Sequence, residues 1–127
     1  MLASIAAPIL VVIAVGVAAF EVCLALGAPW GEWAFGGQHA GVLPRRYRAS
    51  SALSLLVYAL QATLYAQFSG WIGEVFPVVA LTWLSWVFVA FFALGTLMNA
   101  LSRSKRERAL WTPIVALSLL CALIVAL

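Results

Sequence analysis

The chain has 127 residues, of which 66% are apolar and 9% charged, with seven Lys and Arg against four Asp and Glu; its mean hydropathy is +1.12. Soluble domains carry about 25% charged residues, and this length is room for about one domain. Composition therefore excludes an ordinary soluble enzyme, a disordered tail and a disulfide-stapled secreted domain, and points to an integral membrane protein.

About 20 apolar residues in a helix cross the ~30 Å hydrocarbon core of a bilayer. Four runs reach that length, at about 2–26, 49–67, 76–101 and 109–127. They predict a single all-α domain, a bundle of four transmembrane helices. The first run lacks a basic leading segment and is too long for the apolar stretch of a signal peptide. Gly27 and Pro29 close it, Ser50 and Ser51 are placed to cap the second helix, and Pro77 and Pro113 suit the first turns of the third and fourth.

Along the first helix Ala14, Ala18, Glu21 and Ala25 share a face. Small residues mark close helix contacts in lipid, and an ionisable residue within a span marks a candidate site. Two roles for Glu21 stay open: a structural carboxylate tied to Arg45, Arg46 or Arg48, or a proton-titrating or ligand-binding group. Its depth near the helix end matches Asn99, Ser51 and Ser54, which predicts a hydrogen bond to Asn99, to a serine of the second helix or to the loop.

The connection from Gly27 to Pro44 is long, with five glycines, two prolines, Trp30, Trp33 and Phe35. It is too broken for a regular helix and too aromatic for a disordered linker, so it is expected to fold back over the mouth of the bundle. Gly36 and Gly37 can present successive N–H groups to an anion, with Arg45 and Arg46 nearby; a tight turn is the alternative. His39 is a candidate ligand-binding residue or a capping group, and Glu32 is expected to be a solvated interfacial acid.

In the second helix Ser51, Ser54, Tyr58, Gln61 and Tyr65 form a polar stripe at helical spacing, predicted to face inward against Ala14 and Ala18. In the third, Thr82, Ser85, Thr96 and Asn99 share a face; the fourth offers Ser118 and Cys121 and is expected to pack through apolar surface. The stripes are read either as interhelical hydrogen bonds or as a polar cleft for a ligand between the first three helices. Trp30, Trp33, Trp71 and Trp111 are placed as interfacial belts, and Trp83 and Trp86 as packing or lipid-facing residues.

All seven Lys and Arg lie in the first and third connections, whereas the second carries Glu74 and none of them. This bias predicts both basic loops in the cytoplasm and both termini outside, with anionic headgroups as counter-charges. It does not describe a nucleic-acid surface, since the clusters only flank the spans. Cys23 and Cys121 lie far apart in apolar runs and read as small core residues. The sequence shows no metal-ligand set, no paired carboxylates, no catalytic Ser/His/Asp set and no cofactor fingerprint.

The loop run Gly27–Gly37 followed by Leu43, Pro44 and Arg48, together with Ser102, Ser104, Glu107, Arg108 and Trp111, resembles a group of small uncharacterised bacterial four-helix integral membrane proteins. The resemblance implies the four-span fold and a bacterial inner membrane, and adds no chemistry. The residues thus leave two main functions. One is binding or moving a lipid or small amphipathic molecule, with Glu21, Ser54, Tyr58, Gln61, Asn99, His39, Arg45, Arg46 and Arg48 as candidate ligand-binding residues. The other is a structural or accessory subunit, as a homo-oligomer or in a larger membrane complex; an intramembrane enzyme is the weakest reading.

The expected topology is open to cysteine labelling. With Cys23 and Cys121 replaced, single cysteines at Ser69 and Ser104 should react from opposite faces of the membrane, Ser104 from the cytoplasmic one. Reaction of Ser104 from outside alone would invert the orientation.

Overall fold

The computed structural model describes residues 1–127 and contains four long helices and no strand: α1 (Leu2–Leu26), α2 (Arg45–Phe68), α3 (Val78–Ala100) and α4 (Lys105–Ala126). All four are long and apolar enough to cross a membrane. The shortest, α4 with 22 residues, measures about 33 Å at 1.5 Å per residue. The protein is a four-helix, multi-pass membrane bundle. The α1–α2 and α3–α4 connections lie at the same end, with Arg103 and the basic first turns of α2 and α4, and this is called here the basic end.

Two helix starts differ from the sequence expectation. Helix α2 begins at Arg45, directly after Pro44 at its N-cap position. Proline's fixed φ pre-forms the first turn, so Ser50 and Ser51 lie inside the helix rather than capping it. Helix α4 begins at Lys105 because Ser104 caps it, its Oγ accepting from the Glu107 N–H at 3.1 Å. Pro113 is therefore an interior residue. Helix α1 ends as expected, on Gly27 in the left-handed conformation at φ 100°. Pro77 occupies the N-cap position of α3.

The order around the bundle is α2, α1, α4, α3. Helix α1 packs along α2 and against α4, and α4 packs along α3, while α2 and α3 meet only sparingly. Their meeting is at the end opposite the basic one, where the Gln67 side chain ties the short connection. Its Oε1 accepts from Val75 N–H (3.0 Å) and Phe76 N–H (2.8 Å), and its Nε2 donates to Phe76 O (2.9 Å).

The packed core occupies the half of the bundle away from the basic end: Ala6, Ala7 and Leu10 of α1, Leu64 and Tyr65 of α2, Phe88 and Phe92 of α3, and Cys121 and Ala122 of α4. The buried face of α1 thus runs from Ala6 through Leu10 to Ala14, with Ala18 and Glu21 half-buried beyond it. A second small cluster at the basic end joins Leu24 to Ala34 and Leu43 of the connection. Trp83, 71% exposed, and Trp86, 42% exposed, face outward, where a bundle in lipid tolerates them.

Most of the polar stripe residues do not act as interhelical glue. The side chains of Ser54, Thr82, Ser85, Thr96, Asn99 and Ser118 each donate to the carbonyl four residues earlier in their own helix. Two side chains cross from α2 to α1: Gln61 Nε2 donates to Leu10 O at 3.1 Å and, near the basic end, Arg48 Nε to Ala25 O at 3.0 Å. Gln61 faces the interior as predicted, 1% exposed.

Single polar contacts between membrane helices average about 0.6 kcal/mol, so Gln61→Leu should lower unfolding free energy by less than about 1 kcal/mol. Leu10→Ala removes packed atoms from a site that cannot refill, and should cost about 2 kcal/mol, the low end for such truncations because lipid offers little transfer penalty. Steric-trap unfolding of the purified protein measures both. The opposite ranking would mean that the polar contact, not packing, joins α1 to α2.

Candidate functional site

The half of the bundle nearer the basic end is hollow. A cavity of about 220 Å³ is lined by all four helices and by the α1–α2 connection. Its walls are mostly apolar. Toward the basic end it meets Glu21 of α1, Ser54 and Tyr58 of α2, Asn99 of α3 and Glu107 of α4; Gln61 and Ser118 line it deeper in. Five predicted residues, Glu21, Ser54, Tyr58, Gln61 and Asn99, are therefore brought to one space. The cleft was expected between α1, α2 and α3, but α4 forms a full wall with Glu107, Trp111, Ile114, Val115 and Ser118.

The other four candidates lie elsewhere. Arg48 Nε donates to Ala25 O at 3.0 Å, a carbonyl of the last turn of α1. A cation there satisfies an orphan acceptor and opposes the helix dipole. Arg46 lies 4.7 Å from the centre of the Tyr47 ring, and Arg45 is exposed at the start of α2. His39 packs 4.9 Å from the same tyrosine ring, and its Nε2 is buried without a hydrogen bond. None of the four lines the cavity.

Glu21 has no ionic partner. Ser51 and Tyr58 are its polar neighbours, yet Glu21 Oε2 and Ser51 Oγ are both buried without a hydrogen bond. Asn99, the expected partner, instead donates to Gly95 O at 2.8 Å. Of the anticipated partners, Ser51 is the one that lies against the Glu21 carboxyl and Asn99 is not, while Glu21 Oε2 is left open.

The connection folds over the basic-end mouth, held by α4 rather than by the Arg45–Arg48 run. Ser104 Oγ donates to Glu32 O at 2.6 Å while accepting from Glu107 N–H. Trp111 Nε1 donates to Trp33 O at 2.7 Å. Glu32, its side chain 43% exposed, is the solvated acid expected, and it pairs with the exposed Arg106 at 2.5 Å. Trp33 and Trp111 join the connection to α4 through their hydrogen bond. The connection closes on itself through Gly31 N–H to Gly41 O at 2.8 Å, in the manner of a compact Ω-loop.

Two glycines are required by these contacts. A Cβ on Gly31 would meet His39 O at 2.0 Å, and one on Gly37 would meet Ser104 Cβ at 2.5 Å. Phe35, Gly36 and Gly37 are consecutive left-handed residues at φ 51°, 74° and 68°. Such a conformation is costly for an aromatic residue, and it places Phe35 on the cavity wall beside Trp33 and Ala34.

Glu107 was missed by sequence reading. It is 9% exposed, and its Oε2 accepts from the Ser102 hydroxyl. That hydroxyl also accepts from Ser104 N–H at 3.2 Å, so a capping box is relayed through Ser102. The signal was present as Ser104-x-x-Glu107 before an apolar run. The cavity consequently holds two carboxyl side chains from distant parts of the sequence, and no Lys or Arg among its lining residues.

No protein-family model, no curated protein and no solved structure matches this chain.

Gly37 and Gly41 both have positive φ, but a Cβ has open space only at Gly41. Gly37→Ala should therefore detach the connection from α4 and raise amide hydrogen exchange across residues 30–41 severalfold, whereas Gly41→Ala should have a smaller effect. Equal exchange in the two variants would show that the Gly37–Ser104 approach does not hold the lid.

Proposed function

We propose that this protein sits in a bacterial cytoplasmic (inner) membrane with both termini outside, and that it binds and moves a lipid or small amphipathic molecule through the four-helix cavity. The carrying observation is the cavity itself: apolar walls with a few convergent polar groups, the usual character of a small-molecule site. Its polar residues on α2 and α3 flank the seam where those two helices touch least, which gives an apolar tail a route to lipid.

At about 220 Å³, the cavity is below the ~300–1,000 Å³ typical of drug-sized ligands. It suits a small molecule, or the polar head of a longer one whose tail lies in the seam. The basic end supports a cytoplasmic placement, because Lys and Arg gather on that side, with anionic lipid headgroups opposite them. The resemblance of the loop motif to the bacterial four-helix group supports the same membrane.

The sparse α2–α3 seam also favours a second reading, in which a helix of another subunit or another copy of the chain fills it and the protein is an accessory subunit. Cavity filling separates the two. Under the binding reading, native mass spectrometry of the protein released from mild detergent should show bound single-chain amphiphile, and Val17→Trp should abolish it without loss of helix content. Retention of the amphiphile by Val17→Trp, or a wild-type protein that binds none, would remove the cavity from the function.

A further inference from the structure

The polar groups of the cavity are unevenly satisfied. Its donors are already engaged with backbone: Gln61 Nε2 with Leu10 O, Asn99 Nδ2 with Gly95 O, Trp111 Nε1 with Trp33 O, and the Ser54 and Ser118 hydroxyls with carbonyls of their own helices. Two of its acceptors are open. Glu21 Oε2 and Gln61 Oε1 are buried with no hydrogen bond, and Gln61 as a whole is 1% exposed. A buried acceptor without a donor is destabilising, and more so if it is charged. Beside them the Tyr58 hydroxyl can turn either way.

The charges are equally one-sided. Glu21 and Glu107 line the space and no basic side chain does. The nearest candidates are engaged elsewhere: Arg48 on Ala25 O, Arg106 on Glu32, and Arg108 on Ser102 O at 2.9 Å. A carboxyl away from water either keeps its proton or takes a counter-charge. The remaining walls include the rings of Phe20, Trp33, Phe92 and Trp111, whose faces attract cations.

Resting on the binding function above, we propose that the cavity's ligand is a primary ammonium compound with one apolar tail. Its N–H groups donate to Glu21 Oε2 and to the neighbouring Tyr58 hydroxyl oxygen, its charge is matched by Glu21, and its tail leaves between α2 and α3. The N–H groups matter as well as the charge, because these oxygens call for a donor, which a quaternary ammonium lacks.

The test uses the full chain in phosphatidylcholine nanodiscs, with empty nanodiscs subtracted for partitioning. Calorimetric titration compares hexylammonium, hexanol, hexanoate and hexyltrimethylammonium at neutral pH. Hexylammonium should bind at least tenfold more tightly than hexanol or hexanoate, and more tightly than the trimethyl compound. Glu21→Gln should bring it to the level of hexanol, and Tyr58→Phe should narrow its advantage over hexyltrimethylammonium.

Equal binding of hexanol and hexylammonium by the intact protein, or a preference for hexanoate, would overturn the ammonium assignment and leave the amphiphile reading standing. A trimethyl compound binding as tightly as hexylammonium would overturn the role of the N–H donors. Binding of none of the four would overturn both readings. Should Glu21→Gln fail to fold, the ligand series on the intact protein decides alone.

Discussion

A membrane helix is generous to donors and closed to acceptors, and the arrangement of this protein depends on that asymmetry. Every interior backbone N–H is occupied by the helical ladder, whereas each carbonyl keeps a second lone pair. A hydroxyl or amide N–H in hydrocarbon can turn back onto the carbonyl one turn earlier. Ser54, Thr63, Thr82, Ser85, Thr96, Asn99 and Ser118 all do so. A side-chain oxygen that can only accept has no such refuge. Glu21 Oε2 and Gln61 Oε1 remain open for this reason. Ser51 and Thr112 are hydroxyls that do not turn back, and Tyr65 carries its phenol too far from its own backbone to do so.

This asymmetry explains why the polar residues do not close the bundle on themselves. Most of their donors stay on their own helices, so packing does most of the joining; Gln61 on Leu10 O and Arg48 on Ala25 O are the side chains that cross from α2 to α1. Packing is complete only in the half built on Ala6, Ala7 and Leu10, where small residues let α1 approach its neighbours and the rings of Tyr65, Phe88 and Phe92 fill the remaining space. Toward the basic end the inward positions pass from alanine to Glu21 on α1 and to Tyr58 and Ser54 on α2, and the space is left open. The connections reinforce the division. Gln67 ties α2 to α3 at the packed end, while at the other end the loop from Gly27 to Pro44 spreads over the mouth and is pinned to α4 by Ser104 and Trp111.

The sequence made the spans legible because hydrocarbon thickness imposes a length, and a charge run cannot enter it. It made the α2 stripe legible because Ser51, Ser54, Tyr58, Gln61 and Tyr65 are polar against an apolar background; Ser51, Gln61 and Tyr65 are buried, and Ser54 and Tyr58 half-buried. The neighbour order of the helices was not legible. In lipid the outward and inward faces are both apolar, so α4 carries no amphipathic signal to show that it lies between α1 and α3. The start of α4 was misplaced because Lys105 to Arg108 reads as a solvated loop. There the cap on Ser104 outweighs the charge run, and Glu107 is carried inward on the first turn. The arginines expected beside Glu21 from their matching depth were equally misleading: Arg48 meets a local demand at the bare carbonyls ending α1.

The placement of charge also bears on how a cation would reach the cavity. All seven Lys and Arg lie in the Arg45–Arg48 and Arg103–Arg108 runs at the basic end, around a mouth already covered by Trp33, Ala34 and Phe35. At physiological ionic strength their field extends about 8 Å into water. It repels a cation approaching from that side and attracts anions, including lipid headgroups. The α2–α3 seam carries no such charge within the spans. An ammonium compound already dissolved in the bilayer interface would meet no positive barrier there, and its tail would remain in lipid while its head turned inward to Glu21. The same rim that excludes the ligand from the aqueous route holds the lid shut through Arg106 on Glu32. Electrostatics and the α2–α3 gap therefore favour the same lateral entry, and the cavity is better placed to exchange with the membrane than with the water beyond the lid.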